Sequence, residues 1–236
     1  MSAGLRAGAC LPCAMLAGVA CAQLPAGQAP DARSAALCEA RLAPTRVEVR
    51  MRRSPLAVEH AVTAAQLSQR TPGQPPAWMA LGLTERRLEM RVRWQSSALR
   101  LGAGRAGCLR PQVTVELLHV PRIHIARELP ADSCAYAAVH AHERRHLEAD
   151  ERAFEATGRF IEQRLANQLG NRVFYGELDA LQARLDVTVE RDWLPATKAR
   201  FAEVAQVHAQ IDSPEEYARN RTVCGGEIPR LLRGAR

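Results

Sequence analysis

Seven histidines are spread over the 236 residues, and two of them stand four apart in His142-Glu143-Arg144-Arg145-His146. On a helix, positions i and i+4 share a face, so the two imidazoles can grip one metal ion. Glu143 lies beside them, where a carboxylate can take a proton from a metal-bound water. No other stretch pairs residue types and spacing this way. The chain shows no Ser–His–Asp elbow, phosphate-binding loop or free-thiol nucleophile.

Two imidazoles do not complete a zinc site, which needs a third protein ligand and a water. Directly after His146 the chain reads Leu147-Glu148-Ala149-Asp150-Glu151-Arg152, with no Gly-x-x-His continuation. Asp150 shares the face of the pair, but ligands at i, i+4 and i+8 span about 12 Å of straight helix, too far for one ion. It reads instead as an acid that supports a ligand or lies on the helix surface. The third ligand is therefore sought in the second half, among Glu177, Glu190, Glu203, His208, Asp212 and Glu216. His208 is the choice, because it shares a helical face with Asp212 just before a turn. Glu177 and Asp212 follow it, although a lone late histidine is more often a surface or core residue. His140 points away from the pair and reads as packing or surface. His124, on a strand, could line a cleft, while His60 and His119 carry no signal. Tyr136, Tyr175 and Tyr217 can steady an oxyanion, Tyr217 first because it follows the third-ligand region; packing is the plain reading for each.

The motif needs a helix to carry it. One opens after Pro130 with Asp132 or Ser133 as N-cap and runs to about Leu169, with Gly158 as a soft point and Gly170-Asn171 as the stop. Leu147, Phe154, Ile161 and Leu165 give it an apolar seam at helical spacing. Upstream, alternation of apolar and charged residues predicts strands over 45–51, 88–94, 113–118 and 122–126, with a bend at Val120-Pro121. Residues 56–69 read as a helix, and 71–76 as a loop. Downstream, residues 176–211 are helical with a kink at Pro195, and Ser213-Pro214-Glu215-Glu216 starts another short helix. The fold class is α+β: a small, mainly antiparallel sheet, then a long active-site helix and a helical C-terminal half, in a single domain over 38–236.

Residues 1–22 carry one charge, Arg6, then an apolar run ending in Ala20-Cys21-Ala22, the pattern of a cleavable signal peptide. A lipoprotein anchor at Cys21 ranks below it. Residues 23–37, rich in Pro, Ala and Gln, read as a flexible leader. Together these predict a periplasmic or secreted protein with no membrane span in the mature chain. Four cysteines remain after the leader's start: Cys38, Cys108, Cys134 and Cys224. An even number in an oxidising compartment predicts two disulfides. Of the three pairings, Cys38–Cys108 with Cys134–Cys224 is preferred, tying strand to strand and the active helix to the C-terminal tail. Net charge is +7, almost all from scattered arginines, and aromatics are only 4%. A nucleic-acid surface would concentrate its charge and interleave aromatics, so nucleic acid is not an expected partner.

His142-Glu143-Arg144-Arg145-His146 resembles the zincin metallopeptidases. With Ile123-His124-Ile125-Ala126-Arg127-Glu128, Ser133-Cys134-Ala135-Tyr136, Ile211-Asp212-Ser213-Pro214-Glu215-Glu216-Tyr217 and Cys224, the chain is similar to uncharacterised, exported, bacterial proteins read as zinc-dependent proteases. The resemblance spans about residues 45–224 and implies Zn2+ at His142 and His146 with Glu143 as general base. It does not fix the third ligand, and the third-histidine continuation of the metzincins is missing. The expected function is an exported zinc hydrolase acting on a peptide or protein, laid along an edge strand such as the one holding residues 123–126. A non-catalytic metal-binding envelope protein and a cell-wall amidase with the same zinc chemistry are the alternatives.

Overall fold

The computed structural model describes residues 30–71 and 79–234; the expected signal peptide and the first part of the leader lie outside them. Helix α1 (Ala32–Arg41) begins within the stretch read as leader, capped by Asp31, whose side chain accepts from the amides of Arg33 and Ser34. Strand β1 (Arg46–Arg53) and strand β2 (Ala57–Glu59) follow, separated by Ser54-Pro55-Leu56. Helix α2 (Ala64–Arg70) is much shorter than the one expected over 56–69. Thr63 and Gln66 form a reciprocal capping box that starts it late, and residues 57–59 join the sheet instead.

Strand β3 (Gly82–Arg100) and strand β4 (Ala106–Ile125) form one long hairpin paired along its whole length. The two strands expected over 113–118 and 122–126 are thus one. Pro121 does not break it, for a reason the register supplies. His119 turns its carbonyl toward β1, where Ser54 donates to it at 2.9 Å, so Pro121, in the same phase, faces that side too. There β1 ends opposite His119 and β2 begins opposite Arg122, and the missing N–H falls in the gap. Pro111 sits in the matching gap between β1 and strand β5 (Phe174–Glu177), which pairs Leu109 with Phe174.

The five-stranded sheet is not the mainly antiparallel one the spacing predicts. The path β1–β4–β2 is parallel, and β3 and β5 add to the same central strand antiparallel. Short connections favour antiparallel neighbours. Here β1 and β2 instead pass β3 by and pair with β4 on its other side.

Helix α3 (Cys134–Leu169) crosses one face of the sheet. Ser133 caps it, its hydroxyl accepting from the Tyr136 amide at 3.0 Å, and Gly170 ends it at φ 47°. Leu147, Phe154, Ile161 and Leu165 are all buried, three of them against Val113, Val115 and Leu117 of β4. Gly158 is no soft point: α3 runs through it unbroken, and a Cβ there would meet the Met51 side chain of β1. Helix α4 (Leu178–Thr188), a π-helical turn over Val189–Trp193 and helix α5 (Leu194–Ala202) stay continuous; the widened turn falls just before Pro195, which has no N–H to give. Helix α6 (Ala205–Ile211) and helix α7 (Pro214–Gly234) return to α3, and α7 is interrupted at Val223–Gly226 by non-helical backbone.

Both disulfides of the preferred pairing are present, Cys38–Cys108 and Cys134–Cys224. The first ties α1 to β4 rather than strand to strand; the second pins α7 to the first turn of α3. Such a pairing is compatible with an oxidising, extracellular compartment. Among the described residues no helix is long and apolar enough to cross a membrane.

Candidate metal centre

Residues four apart on α3 bring His142 and His146 to one buried face, their rings 4.9 Å apart. Above them, α6 ends and α7 begins. His208 and Asp212, also four apart, both turn toward α3. Asp212 closes α6 as its C-cap, its amide donating to the His208 carbonyl at 2.9 Å. Ser213 accepts from the Glu216 amide at 3.3 Å, so the predicted helix start at Ser213-Pro214 forms and fixes Glu216 and Tyr217 over the motif.

Three donor atoms converge. Asp212 Oδ1 lies 3.0 Å from His142 Nε2 and 3.1 Å from His146 Nε2, and the two Nε2 atoms are 3.1 Å apart. These residues form a candidate metal-binding group. Tetrahedral zinc with bonds of about 2.0–2.1 Å spaces its donors about 3.3 Å apart, so the triangle is within a few tenths of an ångström of a seat for it. The donor set, two imidazoles and one carboxylate, also suits that ion.

The converging donors are braced from outside. His142 Nδ1 is 3.2 Å from Glu216 Oε1, and Glu216 is paired in turn with Arg145 and Arg219. Against burial, which works to raise it, the bonds from Arg145, His142 and Arg219 hold the Glu216 carboxyl down to about 2. Arg145 Nη2, 2.9 Å from the same Nδ1, bridges it to Glu216; with the Nδ1 proton turned to the carboxylate, the His142 Nε2 lone pair faces the centre. Burial works to lower the His142 pKa, but the bond to Asp212, the nearby Glu143 charge and Glu216 raise it on balance. Burial likewise pushes the Asp212 carboxyl up, and its bonds to the two imidazoles more than reverse this. The cluster therefore favours positive charge at its centre.

Glu143 is 4% exposed and sits where β3 starts. Thr84 Oγ1 lies 2.8 Å from Glu143 Oε2 and 3.0 Å from its carbonyl oxygen. Burial is the main cause that raises the Glu143 pKa; the imidazolium charges and the Thr84 bond temper it. Gly82 is at the tightest point: a Cβ there would stand 2.6 Å from Glu143 Cγ. Tyr217 bonds its hydroxyl to Asp212, and burial together with the Asp212 charge pushes its pKa well up. All these groups open into one cleft of about 570 Å³, bounded on the far side by α2 and residues 79–84.

The expected site residues thus part company. His142, Glu143 and His146 are together, and Asp212 is the third converging donor. His208 is beside them but outside the triangle: its Nδ1 is 2.6 Å from His146 Nδ1, and its Nε2 faces Asp150 Oδ1 at 2.7 Å. Glu177 is exposed at the end of β5, and Glu190 and Glu203 are exposed on the C-terminal helices. His119 is buried between Phe154 and Phe201, and His124 between Glu59 and Glu85 across the sheet. Residues 122–124 are paired on both sides, by β2 and β3, and so cannot serve as an edge. The edge beside Glu143 belongs to β3, which among the described residues pairs only with β4. Gly82 and Thr84 are the site residues the sequence reading lacks. A glycine interrupting Leu81-Gly82-Leu83 is a signal of close backbone approach; nothing marks Thr84.

No protein-family model, curated protein or solved structure matches the chain.

Proposed function

We propose that this protein is an exported zinc-dependent hydrolase, a metallopeptidase in its simplest form. The observation that carries this reading is the convergence of His142 Nε2, His146 Nε2 and Asp212 Oδ1 beside a buried glutamate in an open cleft. The resemblance of the His-Glu-x-x-His segment to the zincins points the same way. Zinc held by the three residues would polarise a scissile carbonyl and lower the pKa of water toward 7.

The remaining work falls to the chain's own groups. Thr84 occupies Glu143 Oε2, which leaves Oε1 as the oxygen to accept a proton and hand it to the leaving amine. Burial matches Glu143 to this task by raising its pKa above that of an ordinary glutamate. The Tyr217 hydroxyl, bonded to Asp212 and lining the cleft, would meet a developing oxyanion by turning from that carboxylate. The unpaired edge of β3 offers backbone groups to an extended peptide, with the cleft taking its side chains. The two disulfides fit a periplasmic or secreted location.

The test is a Glu143→Gln variant beside wild type, assayed on a mixed peptide panel and on muropeptides. The expected result is unchanged zinc content with hydrolysis lost by at least 100-fold, the usual scale of general-base removal. Cleavage confined to muropeptides would make the protein a cell-wall amidase. Bound zinc with no turnover on either panel would leave a metal-binding protein without enzymatic function.

A further inference from the structure

His146 and His208 meet through their Nδ1 atoms, 2.6 Å apart, so one must donate and the other accept. The rest of the contact chain decides which. His208 Nε2 faces Asp150 Oδ1 at 2.7 Å, and a carboxylate accepts. A neutral His208 then carries its proton on Nε2 and presents the Nδ1 lone pair. His146 donates from Nδ1, and its own lone pair is left on Nε2, the atom facing Asp212 and His142. The same answer follows from the other end, because an imidazole that binds a cation through Nε2 carries its proton on Nδ1.

We propose that Asp150 and His208 form a positioning relay that fixes the tautomer and ring orientation of His146 for cation binding. His208 is a partner of a ligand, not a ligand. The proposal rests on the metal-centre reading above. Asp150 is fitted for the role. It is 1% exposed on the inner face of α3, and Arg86 on β3 reaches the same oxygen from the sheet side, its Nη1 3.5 Å away. The two rings lie near-parallel, 29° between planes and 4.9 Å between centroids. Both ligand histidines are thus backed by a buried carboxylate, His142 directly through Glu216 and His146 through an intervening imidazole. The arrangement also explains why a helix carrying His142, His146 and Asp150 on one face can use all three residues without stretching one ion over about two turns.

The experiment measures zinc affinity by chelator competition in the full folded chain, with the imidazole protonation pattern read by 15N NMR of the zinc-loaded protein. His208→Leu removes the acceptor. Asp150→Asn can offer an N–H to His208 Nε2 and so reverse the relay. Each is expected to weaken zinc binding 10- to 100-fold, the range for groups that support a ligand. His208→Asn, whose side-chain oxygen can replace the Nδ1 acceptor, is expected to recover most of the loss. The spectra are expected to show the proton on Nδ1 of His146 and on Nε2 of His208. Unchanged affinity in His208→Leu overturns the relay. So does a loss as complete as in His142→Ala, which would make His208 a ligand, or a proton on His208 Nδ1. A wild-type chain that binds no zinc sinks the metal reading itself, whereas one that binds zinc with the reversed proton pattern sinks the relay alone.

Discussion

Gly82→Ala isolates the placement of Glu143 from the binding of metal. Gly82 has ordinary negative φ and pairs with Ile125 in the sheet, so alanine meets no backbone obstacle. The obstacle is Glu143. The new Cβ would stand 2.6 Å from Cγ and 2.7 Å from Cδ of that side chain, where ordinary carbon contacts are about 3.5–4.0 Å. Relief requires the carboxylate or the strand to move by about 1 Å, and a displacement of that size at a reacting group costs about 100-fold in rate. Crowding of this kind costs about 1–3 kcal/mol of stability, or roughly 2–12 °C in Tm for a domain of this length. His142, His146 and Asp212 are not touched. The expected outcome is a fall in kcat of about 100-fold with one zinc still bound and a modest drop in Tm, checked by peptide turnover, metal analysis and thermal unfolding. Full activity with the same stability would refute the packing argument, and loss of zinc would show that β3 supports the ligands as well.

Further outcomes follow from the same geometry. Glu216 has a folded pKa held below its ordinary 4.5, so its pairing stabilises the metal-free protein above that pH and the gain is lost as pH falls toward about 2. Glu216→Gln is expected to cost about 1–3 kcal/mol near neutral pH and to flatten the acid limb between pH 5 and 2, read by urea unfolding of the metal-free chain; an unchanged limb contradicts it. Opening Cys134–Cys224 by a double serine substitution is expected to cost about 2–5 kcal/mol and to weaken zinc binding, because α7 carries Glu216 and its neighbour Tyr217. Chelator competition checks the second part, and full zinc affinity without the disulfide would show that α3 and α6 suffice.

How far the site could be read in advance depended on whether its spacing was local. His142, Glu143 and His146 lie within two turns of one helix, so helical period alone brings them together. The third donor depends on how α6 settles against α3. His208 and Asp212 share a face, and both do turn toward the motif; which side chain joins the two imidazoles and which reaches Asp150 is decided by packing, not by period. Asp150 stands too far along the helix from His142 to share one ion with the pair, and its link back to the site runs through His208, 58 positions away. The sheet shows the same limit. Alternation located the strands near 46–53 and 113–125, but strand order is a long-range matter. The parallel pairing of β1 and β2 with β4 leaves a trace only in Pro111 and Pro121, whose absent N–H groups fall where the neighbouring strand changes.

Zinc bound per chain after dialysis, measured for wild type, His142→Ala, His146→Ala, Asp212→Ala and His208→Leu side by side, decides whether two histidines of α3 and the aspartate at the end of α6 hold one zinc ion. The expected result is one zinc in wild type, none in the first three variants, and a weakened but occupied site in His208→Leu. A wild-type chain without zinc, or an Asp212→Ala variant that keeps it at full affinity, would rule this centre out.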